Sequence, residues 1–385
     1  MIYLDHAATS WPKPVEVCEA MVRALTELTA NAGRGGHRAS VASARMVFET
    51  RSMLAELFGM QRSDHVIFTR SCTEGLNLVI KGFLKPGDRV LVSPLEHNSV
   101  MRPLSRLASE RGIGFETLPA DPFGRVDPKA TAKLIDGKKF ALAIVAHASN
   151  ANGAVQDIAG IRGALRDIPL LVDAAQSAGV LPIDVHAMGI DFLSCSAHKG
   201  LLGPTGVGIC CLSERFDIPP LLDGGTGSDS DSFDQPTALP DRYEAGTLNL
   251  HGIAGLHAAL AGLTGRGLVG GHKQQLAKQL IGGIKDAAGI KILSPSDGTA
   301  LSCAFTIDGM QPDKIAVQLQ EDFGILCRPG LQCAPAAHRH FGTLPAGSVR
   351  LSPGWGTTDD ELEKAITAVQ EICSKPKAQS SKVTA

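Results

Sequence analysis

The sequence predicts an α/β chain, with a large domain built on a mostly parallel sheet and a smaller α+β domain after it. Five short apolar runs, rich in β-branched residues, are bounded by turn residues: HVIFT (65–69), RVLVSP (89–94), FALAIVAH (140–147), PLLVDAA (169–175) and DFLSCSA (191–197). Segments of helical spacing, such as ARMVFETRSMLAELFG and EGLNLVIKGFL, are interleaved with them. After about residue 256 the pattern changes.

Each observation has a physical reading. Runs that are apolar throughout, without alternation, suit strands buried on both faces, and helices between them supply the crossovers that parallel strands need. This covers roughly residues 15–255. Beyond it, IAGLHAALAGL and KQQLAKQLIGGIKDAAG read as helix and lead into ILSPS and LSCAFTID. A helix around 312–323, a loop and a terminal helix around 359–374 follow. The expected division is therefore 15–255 for the large domain and 256–375 for the small one, with residues 1–14 free to join either. The polar tail 376–385 is expected to be disordered, and the Gly/Ser/Asp/Pro-rich stretch 224–240 to be a loop. The chain has 385 residues, 44% of them hydrophobic but only 4% aromatic, so aliphatic side chains must fill the core.

The balance of charge excludes several classes. A formal net charge of -2 without a basic stripe argues against nucleic acid and against an anionic membrane surface. No run approaches the length of a membrane helix. The nine cysteines are odd in number and none is spaced CxxC, which argues against a disulfide framework or a bound metal. Free thiols, and a start (MIYLDHAATSWPKP) unlike a signal peptide, lead us to expect a cytoplasmic protein.

In open α/β sheets, ligands bind outside the carboxyl ends of the strands. One apolar run ends in Asp173 and Gln176, and the next in Ser196, His198 and Lys199. A lysine and a carboxylate at two strand ends suit pyridoxal phosphate (PLP). The lysine forms a Schiff base with the aldehyde, and the carboxylate keeps the pyridine nitrogen protonated so that the ring withdraws electrons. Taken singly, a lysine is most often a solvated loop residue and an aspartate a helix cap. Here the surroundings decide. The turn Ser71–Gly75 opens a helix and offers free N–H groups to a phosphate. His97 follows a strand, where it can lie over a planar ring or move a proton, and Asn150 ends another strand, placed to donate to a ring oxygen. There is neither a Walker A motif nor a strand–GxGxxG–helix unit, which disfavours a nucleotide.

The motifs LDHAAT, TEGLN, EHNS, SNANG, VDAAQS, SAHKGLLGPTGVG, RYEAGTLN, CRPGLQCAP and VRLSPG occur in an order that resembles the class V aminotransferase family, in its cysteine desulfurase and selenocysteine lyase branch. The resemblance spans about residues 2–375. It implies a fold-type I PLP-dependent transferase with Lys199 as the Schiff-base lysine. It further implies that Asp173 pairs with the pyridine nitrogen, Gln176 contacts the phenolic oxygen and His97 stacks on the ring and moves protons. Cys72, Thr73, Ser196 and His198 would serve the cofactor and its phosphate, and Asn150 and Arg350 the substrate carboxylate, with Arg328 a further candidate for binding the substrate. Thr247, in EAGT, would reach the phosphate of a partner subunit, implying a homodimer.

Among the cysteines, Cys333 stands apart. It lies in a Gly/Pro-containing loop beside a cation, Arg328, a setting that favours a thiolate. Its position matches the desulfurase nucleophile of the subgroup with R-x-G-H-H-C-A, and its short interval to Arg350 implies a compact loop. Leu331 and Gln332 stand where two histidines are common, Pro329 where a small hydroxyl residue is, Ala197 where glycine is frequent and His6 where Asn or Ser is. The resemblance thus implies conversion of L-cysteine to L-alanine, with a persulfide left on Cys333 for a sulfur-acceptor protein. Selenocysteine lyase, or another PLP-dependent C–S lyase, uses the same cofactor residues. A non-catalytic sulfur carrier is the reading of a different class; it predicts a colourless protein and leaves Lys199 and Asp173 without a role.

Overall fold

The computed structural model describes residues 1–27, 30–32 and 35–374; the tail 376–385 lies outside them. The first part of the chain forms β1 (Ile2–Tyr3), α1 (Val15–Glu27), α2 (Arg38–Leu57), β2 (Val66–Thr69), α3 (Cys72–Phe83), β3 (Arg89–Val92), α4 (Asn98–Arg111), β4 (Gly114–Thr117), α5 (Pro128–Ile135), β5 (Leu142–Ala146), α6 (Ile158–Leu165), β6 (Leu170–Asp173), β7 (Phe192–Ser196), β8 (Gly208–Leu212) and α7 (Leu250–Arg266). The remainder forms α8 (Gly270–Ile284), β9 (Ile290–Ile292), β10 (Cys303–Ile307), α9 (Pro312–Phe323), β11 (Ile325–Leu326), β12 (Arg328–Gly330), α10 (Pro335–Phe341), β13 (Ser348–Leu351) and α11 (Asp359–Ser374).

All five apolar runs become strands of one sheet, ordered β2-β8-β7-β6-β5-β3-β4. The sheet is parallel from β7 through β6, β5 and β3 to β4, whereas β8 runs antiparallel to both its neighbours. The short connection from β7 to β8 contains no helix, so the chain cannot make the crossover that a parallel strand requires. The period of two along each strand splits its side chains between two cores. Val145, Val172, Leu193 and Cys195 face one, with Leu54, Phe58 and Leu256. Ile144, Leu171 and Phe192 face the other, with Leu76, Val79 and Leu104. Burial of each such aliphatic side chain contributes about 1.5–3 kcal/mol.

Helix α7 buries Ile253, Leu256, Leu260 and Leu263 in the first of these cores, so the division drawn at 255/256 falls inside one helix. After α7, the antiparallel sheet β12-β13-β10-β9 and helices α8, α9 and α11 enclose a separate core containing Leu276, Leu280, Phe305, Leu319, Leu351 and Val369. The N-terminal segment serves both halves. Ile2 and Leu4 enter the small core, where β1 pairs parallel with β11. A few residues on, the Ser10 N–H donates to the His198 carbonyl at 3.0 Å, at the end of the large sheet. Among the described residues, no helix is long and apolar enough to cross a membrane.

Candidate active site

The carboxyl ends of β3, β5, β6 and β7 meet the amino end of α3. Ser71 caps α3, its hydroxyl accepting from the Glu74 N–H at 3.3 Å. The helix can approach β7 closely because position 75 is glycine; a Cβ there would stand 2.4 Å from Ser194 Oγ. The Cys72 N–H consequently reaches Ser196 Oγ at 3.3 Å, while the Thr73 N–H has no acceptor among the described residues.

Asp173 ends β6 and is buried. Its Oδ1 accepts from the Ala175 N–H at 2.9 Å and from the Cys72 thiol at 3.4 Å, and its Oδ2 receives no hydrogen bond among the described residues. Burial pushes the Cys72 thiol well above its ordinary range and the Asp173 charge adds to this, so Cys72 is a neutral donor. Lys199 lies in the turn after β7. Burial lowers its pKa, the Asp173 charge opposes that, and the positive charge of Arg350 adds to it. A lysine so placed yields its proton more readily than one in water.

His97 caps α4, and its Nδ1 accepts from the Ser99 N–H at 3.0 Å. In the neutral ring the proton therefore sits on Nε2. Burial lowers the pKa of His97, opposed by Asp173. Thr73 Oγ1 and Ser99 Oγ lie 2.8 Å apart, which ties α3 to α4. Beneath His97, Glu96 is fully buried. Its Oε1 accepts from Ser93 Oγ at 2.6 Å and from the Ala146 N–H at 2.7 Å, while its Oε2 has no partner. Burial pushes this carboxyl up to about 8 despite the Ser93 hydrogen bond, so it is protonated at neutral pH.

Arg350 on β13 is 2% exposed. It pairs with Asp5 at 2.5 Å and donates from Nη1 to the Asn150 carbonyl, and its Nε has no partner. Cys333 is exposed and shares with Thr73, His97, Asn98 and Arg102 the wall of a cavity of about 440 Å³. The turn carrying it is compact, with Ala334 N–H donating to the Leu331 carbonyl at 2.8 Å. The φ values of Gln332 (44°) and Cys333 (57°) are both left-handed, at a cost of roughly 1–2 kcal/mol per residue.

The profile of the family described as Aminotransferase class-V matches residues 2–364. The chain belongs to the class V aminotransferase family. It is 34% identical to a probable cysteine desulfurase of Methanothermobacter thermautotrophicus, over 96% of this chain and 94% of the relative. A cysteine desulfurase of Salmonella agona is 29% identical, over 97% and 93%. Among solved structures, the apo cysteine desulfurase of Thermococcus onnurineus matches with a TM-score of 0.89 and 32% identity, covering 97% of this chain and 94% of that one. A cysteine desulfurase of Escherichia coli matches with a TM-score of 0.85 and 27% identity, covering 96% and 94%. Class V aminotransferases and cysteine desulfurases are PLP enzymes of fold type I.

This member of the class V aminotransferase family gathers most of the residues singled out in its sequence. Asp173, Cys72, Ser196 and Lys199 lie together, with His97, Thr73 and Cys333 around the adjoining cavity. Asn150 and Arg350 are joined to each other. Gln176 donates to the Ala7 carbonyl at 2.8 Å. The ring of His198 turns to Thr9, with Nδ1 at 3.0 Å from Oγ1, and its pKa is pushed down to about 4 by burial. Two residues stand apart. Arg328 is exposed on β12, opposite Arg350 in register. Thr247 is exposed on the wall of a different cavity, of about 500 Å³, with Thr69 and Gly206. Sequence reasoning missed Asp5 as the partner of Arg350. It also missed Lys273 on α8, which is 7% exposed and lowered to about 8 by burial and by the charges of Arg350 and Lys199. A lysine among apolar helical positions was the available signal for the latter.

Proposed function

We propose that the chain is a PLP-dependent cysteine desulfurase that converts L-cysteine to L-alanine and leaves a persulfide on Cys333. The observation that carries this is an exposed thiol, Cys333, on the wall of a cavity shared with His97, whose charge environment includes both Asp173 and Lys199. The residues suit PLP. Lys199 offers an amine whose pKa is lowered by burial, Asp173 a carboxylate oxygen free of other donors, and α3 an unengaged N–H at its positive end for the phosphate. When bound, PLP supplies an electron sink conjugated to the substrate Cα.

The side chains do the rest. Arg350, with Asn150 beside it, holds the substrate carboxylate. Lys199 takes the Cα proton and, after the C–S bond has broken, returns it to Cα. His97 gives its Nε2 proton towards Cβ as the sulfur leaves and takes up the proton of the substrate thiol in its place. The Cys333 thiolate attacks the substrate sulfur; the S–S bond forms as the C–S bond breaks, and alanine and a persulfide result. A second copy of the chain supplies Thr247 to the phosphate, which accounts for an exposed threonine on the wall of a different cavity. The persulfide then passes to an acceptor protein.

The test is alanine release from L-cysteine, with and without a thiol reductant. Alanine should appear with sulfide when reductant is present, and mass spectrometry should find added sulfur on Cys333 and none on Cys327. Borohydride should fix the cofactor to Lys199. Wild-type alanine release by Cys333→Ser would refute the persulfide route. Turnover of selenocysteine in preference to cysteine would make the chain a selenocysteine lyase instead.

A further inference from the structure

Gln332 and Cys333 are the two central residues of a four-residue turn closed by the Ala334 N–H on the Leu331 carbonyl. Both have positive φ. Turns of this kind are ordinarily built from Asn, Asp and Gly. A Gln–Cys pair keeps such a conformation only when its surroundings over-determine it.

The surroundings do so through one side chain. Gln332 is 6% exposed, and its Nε2 donates to the Arg328 carbonyl at 3.2 Å and to the Ser348 carbonyl at 3.0 Å. Both acceptors are carbonyls on the paired strands β12 and β13, which fixes which end of the amide is nitrogen. Its Oε1 then accepts from His338 Nε2 at 2.7 Å. His338, on α10, is fully buried and pushed down to about 4 by burial, so it is neutral; with Nε2 donating, its Nδ1 accepts from Thr343 Oγ1 at 2.7 Å. The backbone is held as well. The Gln332 carbonyl accepts from Asn150 Nδ2, the Asn150 carbonyl accepts from Arg350, and the Cys333 carbonyl accepts from the Asn98 N–H at 2.9 Å, next to His97.

We propose that Gln332, latched to His338, is a positioning residue that sets the Cys333 thiol against the substrate sulfur. It does so by locking the nucleophile's turn to the same bonded frame that holds Arg350 and Asn150. The inference rests on the desulfurase reading above. An amide fits this place because it presents two donors and an acceptor in one plane; a histidine or a carboxylate cannot supply two donors to two carbonyls and accept from His338.

Gln332→Leu keeps the volume and removes the latch. We expect kcat for alanine release to fall by about 10- to 100-fold, the loss typical of a nucleophile displaced by about an ångström. KM for cysteine should stay within about twofold. The cofactor's absorbance change on adding cysteine should persist while single-turnover persulfide on Cys333 declines, a split that general damage to the fold would not produce. His338→Leu should reproduce the defect, and His338→Gln, which keeps a donor, should largely restore the wild type. The double variant Gln332→Leu/His338→Leu should be no worse than the poorer single one. Wild-type kcat and persulfide yield in Gln332→Leu would overturn the inference, as would a loss confined to KM. If that variant does not melt cooperatively, His338→Leu decides by the same measurements. Absence of persulfide on wild-type Cys333 would instead sink the desulfurase reading, and this inference with it.

Discussion

Replacing Glu96 with glutamine should stabilise the protein, and by an amount that depends on pH. Glu96 is fully buried, its Oε2 has no partner, and its pKa stands at about 8 against an ordinary 4.5. Between these values the folded chain binds a proton that the unfolded chain has released, so stability falls as pH rises. The penalty is absent below pH 4.5 and complete above about 8. At pH 7 it has accumulated over two and a half pH units at about 1.4 kcal/mol each, or about 3 kcal/mol. Glutamine has nearly the shape of the protonated acid and keeps the Oε1 contacts to Ser93 and Ala146, but it has no proton to lose. Denaturant unfolding of both proteins from pH 5 to 8 gives the difference directly. It should be small at pH 5 and about 3 kcal/mol at pH 7. A difference that does not change with pH would refute the reasoning, since it would mean that Glu96 is ionised in the fold or reaches water.

Lys273→Met should also stabilise, with the opposite pH dependence. Its depressed pKa of about 8 means that the folded chain sheds a proton which the unfolded chain keeps up to 10.5. The gain, about 3 kcal/mol at most, should be complete below pH 8 and vanish towards pH 10.5 in thermal or denaturant unfolding. Asp173→Ala should lower kcat by about 10²–10³-fold while moving the melting temperature little; equal losses of activity and stability would mark the aspartate as structural. Mixing inactive Lys199→Ala with inactive Thr247→Trp should restore part of the activity in mixed dimers, and an active monomer in sedimentation would exclude the shared site.

The parts of the fold legible in the sequence are those set by local pattern. The strands β2, β3, β5, β6 and β7 are continuous apolar runs, and α9 and α11 have clear helical periods, so their places could be read directly. β4 was missed because its residues, Gly114–Thr117, lie at the sheet edge and are mostly exposed, without the apolar run that announces a buried strand. β8 was missed because the preceding glycines read as loop, and its antiparallel direction follows from the length of a connection. In the site, Lys199 and Asp173 were legible because the ends of neighbouring strands are brought together by the sheet itself. The partner of Arg350 was not, because Asp5 lies 345 positions away and reaches it through the pairing of β1 with β11 and its own bridge to Ser352. Gln332 was legible as a departure from a motif, whereas its role needed the positions of β13 and α10.

The site holds more positive charge than its own carboxylates balance. Lys13, Lys199, Lys273 and Arg350 converge on a region whose nearby carboxylates, among the residues described above, are Asp5 and Asp173, with Glu96 protonated. Each of these four cations has a pKa lowered chiefly by burial, which makes the arrangement a source of instability in the folded chain. A ligand that brings a phosphate and a carboxylate supplies the missing negative charge, so the same groups that destabilise the protein alone strengthen its hold on such a ligand. The placement of the acids separates two tasks. Asp5 is spent on Arg350, fixing that guanidinium and opposing the effect of burial on its charge. Asp173 lends its Oδ1 to Cys72 and Ala175, and its Oδ2 receives no hydrogen bond among the described residues. Among the described residues neither acid forms a close ion pair with Lys199, so burial lowers the pKa of its amine and the Asp173 charge only partly opposes this.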